Sequence, residues 1–223
     1  DDLCEAPHIY RVGDRTYLLA AEGGTHRGHM VVCGRAERPQ GPYEPCPHNP
    51  VLSHRARVSE EVQATGHADL VQAHDGTWGL VFLGIRQNGW RWHHLGRETF
   101  LAPVTWSADG WPEVNHGGPV REIGTPAPGL ACCPWPAAPV RDDFDDLRLV
   151  FAWHFRKNPP AGCWSLAERA GWLTLHGTEH ALDDGVPPTF VGRRQEHFAC
   201  AAATRLEFEP SRDGEEAGLG VFL

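Results

Sequence analysis

Residues 7–23, "PHIYRVGDRTYLLAAEG", and residues 68–84, "ADLVQAHDGTWGLVFLG", decide the fold. Each alternates apolar and polar positions on both sides of a turn dipeptide, Gly13-Asp14 in the first and Asp75-Gly76 in the second. A Gly/Asp turn between two alternating β-rich runs is a hairpin signal. The hairpins align at an offset of 61 residues, which matches Ile9 with Leu70 and Tyr17 with Trp78. Further strand-like runs follow each of them: "HMVVCGRA" and "GPYEP" after the first, "TFLAPVTW" and "GWPEVN" after the second. A unit of about four strands that recurs after tens of residues reads as a propeller blade, with a β-sandwich as the competing reading.

Composition agrees with an all-β chain. The 223 residues include 25 Gly and 19 Pro, which punctuate many short elements. The net charge of -9 argues against nucleic acid and anionic membranes as partners, since both require basic patches. No run of about 20 apolar residues occurs. The 7 cysteines are odd in number and contain no CxxC spacing, which fits reduced thiols in a cytoplasmic protein.

From Gly117 to Pro139 the texture changes. This stretch holds six of the 19 prolines and no alternation, and it reads as a linker. Beyond it, "LRLVFAWHF", "GWLTLHG", "HFACAAATRLEFEP" and "EAGLGVFL" suggest strands of a second all-β domain, most simply a sandwich. The expected organisation is therefore propeller blades over 1–117, a linker over 118–140 and a jelly-roll-like sandwich beginning at 141 and running to 223. Too few blades and strands are present to close either domain. The chain is thus expected to be a fragment cut at both ends.

Three residues stand out. Glu5 sits between Cys4 and Ala-Pro-His, just ahead of the first alternating run. Its bland reading is a solvated carboxylate, which the apolar flanks make less fitting. At the 61-residue offset Glu5 matches Gly66, and Ala6 matches His67 in "ATGHADLV". First strands line a propeller's channel, so Glu5 and His67 are expected to converge on the axis. A His beside an apolar strand serves equally well as a structural residue. Arg97, in "HHLGRETFLAPV", offers a fork of donors to hydroxyls or an anion, but from spacing alone it reads as a surface residue paired with Glu98. The chain has no nucleophile elbow, no phosphate-cradling loop, no HExxH and no zinc spacing among its 14 histidines.

Taken together, "EAPHIYRVGDRTYLLAAEGGT", "HMVVCGRAERPQGPYEPCPHNPVL", "TGHADLVQAHDGTWGLVFLGIR" and "LGRETFLAPVTWSADGWPEVN" resemble glycoside hydrolase family 43, the β-xylosidases and α-L-arabinofuranosidases. "CWSLAERAGWLTLHG", "FVGRRQEHFACAAATRLEFEP" and "GEEAGLGVFL" resemble the β-sandwich that follows the propeller in one branch of that family. The family's acid segment usually reads Glu-Gly-Pro-His, and here Ala6 replaces the glycine. The resemblance implies a five-bladed propeller with the site in its channel. It also implies inverting hydrolysis by a base Asp, a modulating Asp and an acid Glu. Glu5 matches the acid, and the two aspartates belong to blades outside this chain. Arg97 matches an arginine that holds glycone hydroxyls. His67 matches a histidine near the axis that in some relatives helps hold a calcium ion or a water cluster; no other cofactor is implied.

The function so implied is an exo-acting β-xylosidase on short xylo- or arabino-oligosaccharides, in a protein that could form homo-oligomers. A primary α-L-arabinofuranosidase and a non-catalytic carbohydrate-binding propeller are the alternatives, with a scaffold for protein partners as a third. This chain by itself is expected to be inactive.

Overall fold

The computed structural model describes residues 4–89, 92–121, 131, 133–186 and 188–222. The chain divides into two compact units, residues 1–131 with 201–223, and residues 132–200.

In the first unit, β1 (Cys4–Val12), β2 (Arg15–Glu22), β3 (Met30–Ala36) and β4 (Glu44–Pro45) form an antiparallel sheet in that order, and β5 (Leu52–Ser53) also pairs with β3. The second sheet repeats the meander with β6 (Val62–Gln72), β7 (Trp78–Arg86), β8 (Arg97–Trp106) and β9 (Pro112–Val114). Both are therefore blade-type meanders, with the strands where the alternation places them.

The repeat is exact on the inner strands only. In β1–β2, Val12 pairs with Arg15 across a two-residue turn. In β6–β7, Gln72 pairs with Trp78 and Ala73 N–H donates to Thr77 O, so the turn holds three residues, His74, Asp75 and Gly76. Gly76 takes the left-handed conformation (φ +87°) that such a turn demands. The extra residue moves the offset from 61 on the first strand to 62 on the second. Tyr17, opposite Tyr10, thus corresponds to Gly79, opposite Val71, and not to Trp78. Tyr17 and Trp78 instead share one aromatic cluster between the sheets. Trp106 meets Tyr17 edge-on at 4.9 Å and Trp78 at 5.6 Å.

The sheets pack face to face over Leu19, Val31, Val62, Leu80, Phe82 and Trp111, all essentially fully buried. Polar ties cross the interface. The Tyr17 hydroxyl donates to Gly110 O at 2.5 Å, and Arg35 donates to Asp109 O while its guanidinium lies 4.0 Å over the Trp111 ring. Between the inner strands, Tyr10 Oη donates to Asp69 Oδ1 (3.0 Å) and accepts from Leu70 N–H (3.1 Å), and His8 Nδ1 lies 2.7 Å from the same Asp69 oxygen. Burial and the Asp69 carboxylate push the Tyr10 phenol up to about 12, so it is a neutral donor throughout the neutral range.

The outer faces of the pair are a different matter. Ile9 is 54% exposed on one, and Val71 (45%) and Leu101 (52%) on the other. By the register, Ile9 is the counterpart of Leu70, which is 7% exposed because the first sheet covers it.

The second unit carries two short ladders, β10 (Trp153–Phe155) with β13 (Val191–Arg193) and β11 (Trp164–Ser165) with β12 (Thr174–Leu175). Trp153 is its anchor: the indole N–H donates to Asp142 Oδ2 at 2.7 Å, and Phe144 packs on the ring at 5.5 Å. The strands expected beyond residue 140, in either unit, are mostly shorter than the alternation suggests. Only three residues of 147–155 and two of 171–177 pair, and 197–210 and 216–222 contain no strand. Alternation specifies which face a residue would take, but a strand exists only where a neighbour accepts its hydrogen bonds. Of the expected linker over 118–140, residues 122–130 and 132 lie outside the described residues.

Candidate active site

Both inner strands break register where the chemistry is expected. On β1 the pairing shifts between Glu5 and His8, with Ala6 at φ +48°. On β6 it shifts between Gln63 and Gly66 and again between Gly66 and Asp69, with Ala64 and His67 both at φ +52°. Ala6 and His67 are equivalent at the 61-residue offset, so the repeat reproduces the bulge as well as the strand. A non-glycine residue in the left-handed region costs about 1–2 kcal/mol. Such bulges re-aim side chains and cluster at functional sites. His67 does not sit beside its strand but inside it. It is the sixth residue of β6, which begins at Val62.

Glu5 is exposed, as are Cys4 and Pro7. The apolar flanks do not enclose the carboxylate within this chain, contrary to the reading of its local sequence. Arg97 opens β8 opposite Ile85 and is also exposed. The expected surface pair with Glu98 does not form. Glu98 receives two parallel bonds of 2.8 Å from Arg86, the bidentate geometry that suits a guanidinium. Arg97 makes no side-chain hydrogen bond among the described residues.

A residue that the sequence did not single out lies against the bulge of β6. His29, at the entry to β3, is 1% exposed, and its Nδ1 lies 3.2 Å from Ala64 O. Because the partner is a carbonyl, Nδ1 carries the proton. Burial holds the imidazole below its usual range, with smaller effects from Ala64 O, His67, Glu5 and Arg97. The only signal for His29 was its place between a Gly-rich loop and an apolar strand.

A second buried histidine braces the neighbouring loop. His54 Nδ1 donates to Val62 O (2.7 Å), and Nε2 accepts from Val120 N–H (3.0 Å). Among the described residues no three His, Cys, Asp or Glu side chains gather as a metal site. A calcium ion beside His67 would need oxygens from outside this set.

Comparison with known proteins places these features. The model for glycosyl hydrolases family 43 matches residues 2–112, and the model for the β-xylosidase C-terminal concanavalin A-like domain matches 141–223. A non-reducing end α-L-arabinofuranosidase of Bacteroides ovatus is 49% identical over 97% of this chain and 41% of its own length. A xylan 1,3-β-xylosidase of a Vibrio species is 36% identical over 98% of this chain and 42% of its own. The crystal structure of a xylan β-1,4-xylosidase from Bacillus halodurans superposes with a TM-score of 0.82 at 36% identity, covering 88% of this chain and 38% of that one. The chain thus spans about two-fifths of the length of the curated relatives it matches. With both domain models matching in order, and bulged inner strands on two propeller blades ahead of a sandwich-type segment, the chain belongs to family 43 of the glycosyl hydrolases.

Proposed function

We propose that the whole protein is an inverting, exo-acting glycosidase that removes terminal pentose units from short xylo- or arabino-oligosaccharides, with Glu5 as general acid. The observation that carries this reading is the pair of inner strands, β1 with Glu5 and β6 with His67, bulged at equivalent positions of the repeat.

Glu5 donates its proton to the glycosidic oxygen as the bond breaks. A carboxylate on the opposite face of the sugar, outside this chain, activates the water. The two carboxyl groups stand roughly 6.5–9.5 Å apart in such a mechanism, which leaves room for that water. Arg97, whose side chain makes no hydrogen bond among the described residues, offers charge-assisted bonds to sugar hydroxyls. His67, on its bulge, offers a further ring nitrogen.

Between the two pentoses, β-xylosidase activity is the first reading. The 49% identity to an arabinofuranosidase, against 36% to a xylosidase, favours the second. Assay of the whole protein on 4-nitrophenyl β-xyloside and 4-nitrophenyl α-L-arabinofuranoside separates them by their ratio of kcat/KM. Proton NMR of the first-formed sugar reads the stereochemistry, and retention would overturn the inverting mechanism.

A further inference from the structure

We propose that His29 is a positioning residue of this site, a buried abutment that fixes the bulge of β6 carrying His67. The inference deepens the glycosidase reading and rests on it for what the bulge is for.

The contact is steric on one side and polar on the other. A Cβ placed on Gly66 would lie 2.4 Å from His29 Nε2 and 2.5 Å from both Cδ2 and Cε1, closer than real Cβ atoms come. The far end of the ring therefore abuts the Gly66 Cα, and no larger residue fits while the ring stays. At the near end Nδ1–H donates to Ala64 O. Ala64 and His67 are the two left-handed residues of β6, and the ring touches the chain at Ala64 and at Gly66, immediately before His67. Two unfavourable conformations three residues apart need an external constraint to persist, and His29 supplies one at Ala64 itself and another at Gly66, the residue before His67.

The abutment is itself held. His29 N–H donates to His26 O at 2.9 Å, and Gly28 N–H donates to His26 Nδ1 at 3.0 Å. Gly23, at φ +81°, lets the loop close, since a Cβ there would fall 2.1 Å from Gly28 O. Arg27 Nη2 reaches Gln87 Oε1 at 2.7 Å, and Gln87 Nε2 in turn donates to Glu60 O at 2.8 Å, which docks the loop on the second sheet. His29 Nε2 has no hydrogen-bond partner among the described residues although it is buried. A side chain kept only for fold stability would gain from losing that orphaned nitrogen.

The test is a cycle of His29→Asn and Gly66→Ala in the whole protein. Asn keeps a donor near the Nδ1 position and removes the ring end that Gly66 abuts. Gly66→Ala alone is expected to lower kcat/KM by about 10²-fold, the scale of a 1 Å misplacement. His29→Asn alone is expected to lower it by about 10-fold by the same displacement of smaller size. The double variant is expected to recover to the level of His29→Asn, because the new methyl then has room. Losses that simply multiply would overturn the proposal. The NMR signals of the His67 ring give a readout that needs no turnover: they shift in Gly66→Ala and return towards those of His29→Asn in the double variant. Unmoved His67 signals would also overturn the proposal. Failure of the unsubstituted protein on every pentoside would instead overturn the glycosidase reading, and the His67 signals would still judge the abutment.

Discussion

A general acid matters in proportion to how badly the leaving group needs a proton, and this gives Glu5 its test. Xylobiose leaves as a sugar alkoxide and requires nearly full protonation, whereas a dinitrophenolate requires almost none. In the whole protein Glu5→Ala is expected to lower kcat on xylobiose by about 10²–10⁴-fold and to spare most of the rate on 2,4-dinitrophenyl xyloside. Equal losses on both would assign Glu5 to binding. Arg97→Ala is expected to cost about 2–5 kcal/mol in kcat/KM if its guanidinium meets hydroxyls in a closed pocket. Arg97→Lys is expected not to restore it, because the fork is lost. An unchanged kcat/KM for the alanine variant would return Arg97 to the solvent-exposed surface. The strand positions of Glu5, His67 and Arg97 followed from the runs they adjoin, while the roles proposed for them came from the family resemblance. His29 was not legible, since nothing in "HRGHMVV" says that its ring crosses to another sheet to meet a glycine. Nor was the Arg86–Glu98 pair, which needs the β7–β8 register to bring residues 12 apart together.

Among the elements, the hairpins were read correctly from alternation and turn residues, while their turns were not. A two-residue and a three-residue loop carry the same Gly/Asp signature, and only the ladder reveals the one-residue difference. The loop between β5 and β6 carries its own prediction through His54. Burial lowers this imidazole's proton affinity, with smaller opposing effects from Val62 O and Glu60 and a smaller lowering by Arg57. Both nitrogens are engaged only in the neutral form: one donates to Val62 O and the other accepts from Val120 N–H. The sign follows from linkage. The unfolded chain takes up the proton near pH 6.5 and the folded one only at lower pH, so the stabilisation is fully present above about pH 6.5. It is lost as pH falls towards the folded value, and His29 adds in the same direction. In the whole protein the melting temperature is expected to drop between pH 7 and pH 5. His54→Gln is expected to melt lower at pH 7 but to lose less over that interval. Parallel curves for the two proteins would show that His54 is already protonated when folded, or that its titration is uncoupled from stability.

At the scale of the whole molecule, the recurrence of a four-stranded meander suggested a propeller blade but left a β-sandwich open, and the family resemblance decided for the propeller. The second unit was less legible because sheet pairing there joins residues as distant as Trp153 and Arg193, which local alternation does not encode. The same long-range logic governs how the chain behaves alone. Leu70 and its first-sheet counterpart Ile9 occupy equivalent register positions, yet one is 7% exposed and the other 54%. The difference is the presence or absence of a neighbouring sheet. Val71 and Leu101, on the opposite outer face, are open in the same way, and so is Leu219 at 61%. Apolar sheet faces and unpaired edges left to water recruit other chains. In addition, the proposed inversion requires a second carboxylate across the sugar from Glu5, and the chain spans only about two-fifths of the length of the curated relatives it matches. The 223-residue chain expressed alone is therefore expected to self-associate and to show no turnover on any pentoside. Sedimentation and thermal melting check the first expectation, and the aryl pentoside assays check the second. A monomer that melts cooperatively and hydrolyses xylobiose would mean that these outer faces need no covering and that Glu5 finds its partner carboxylate within the two blades described here.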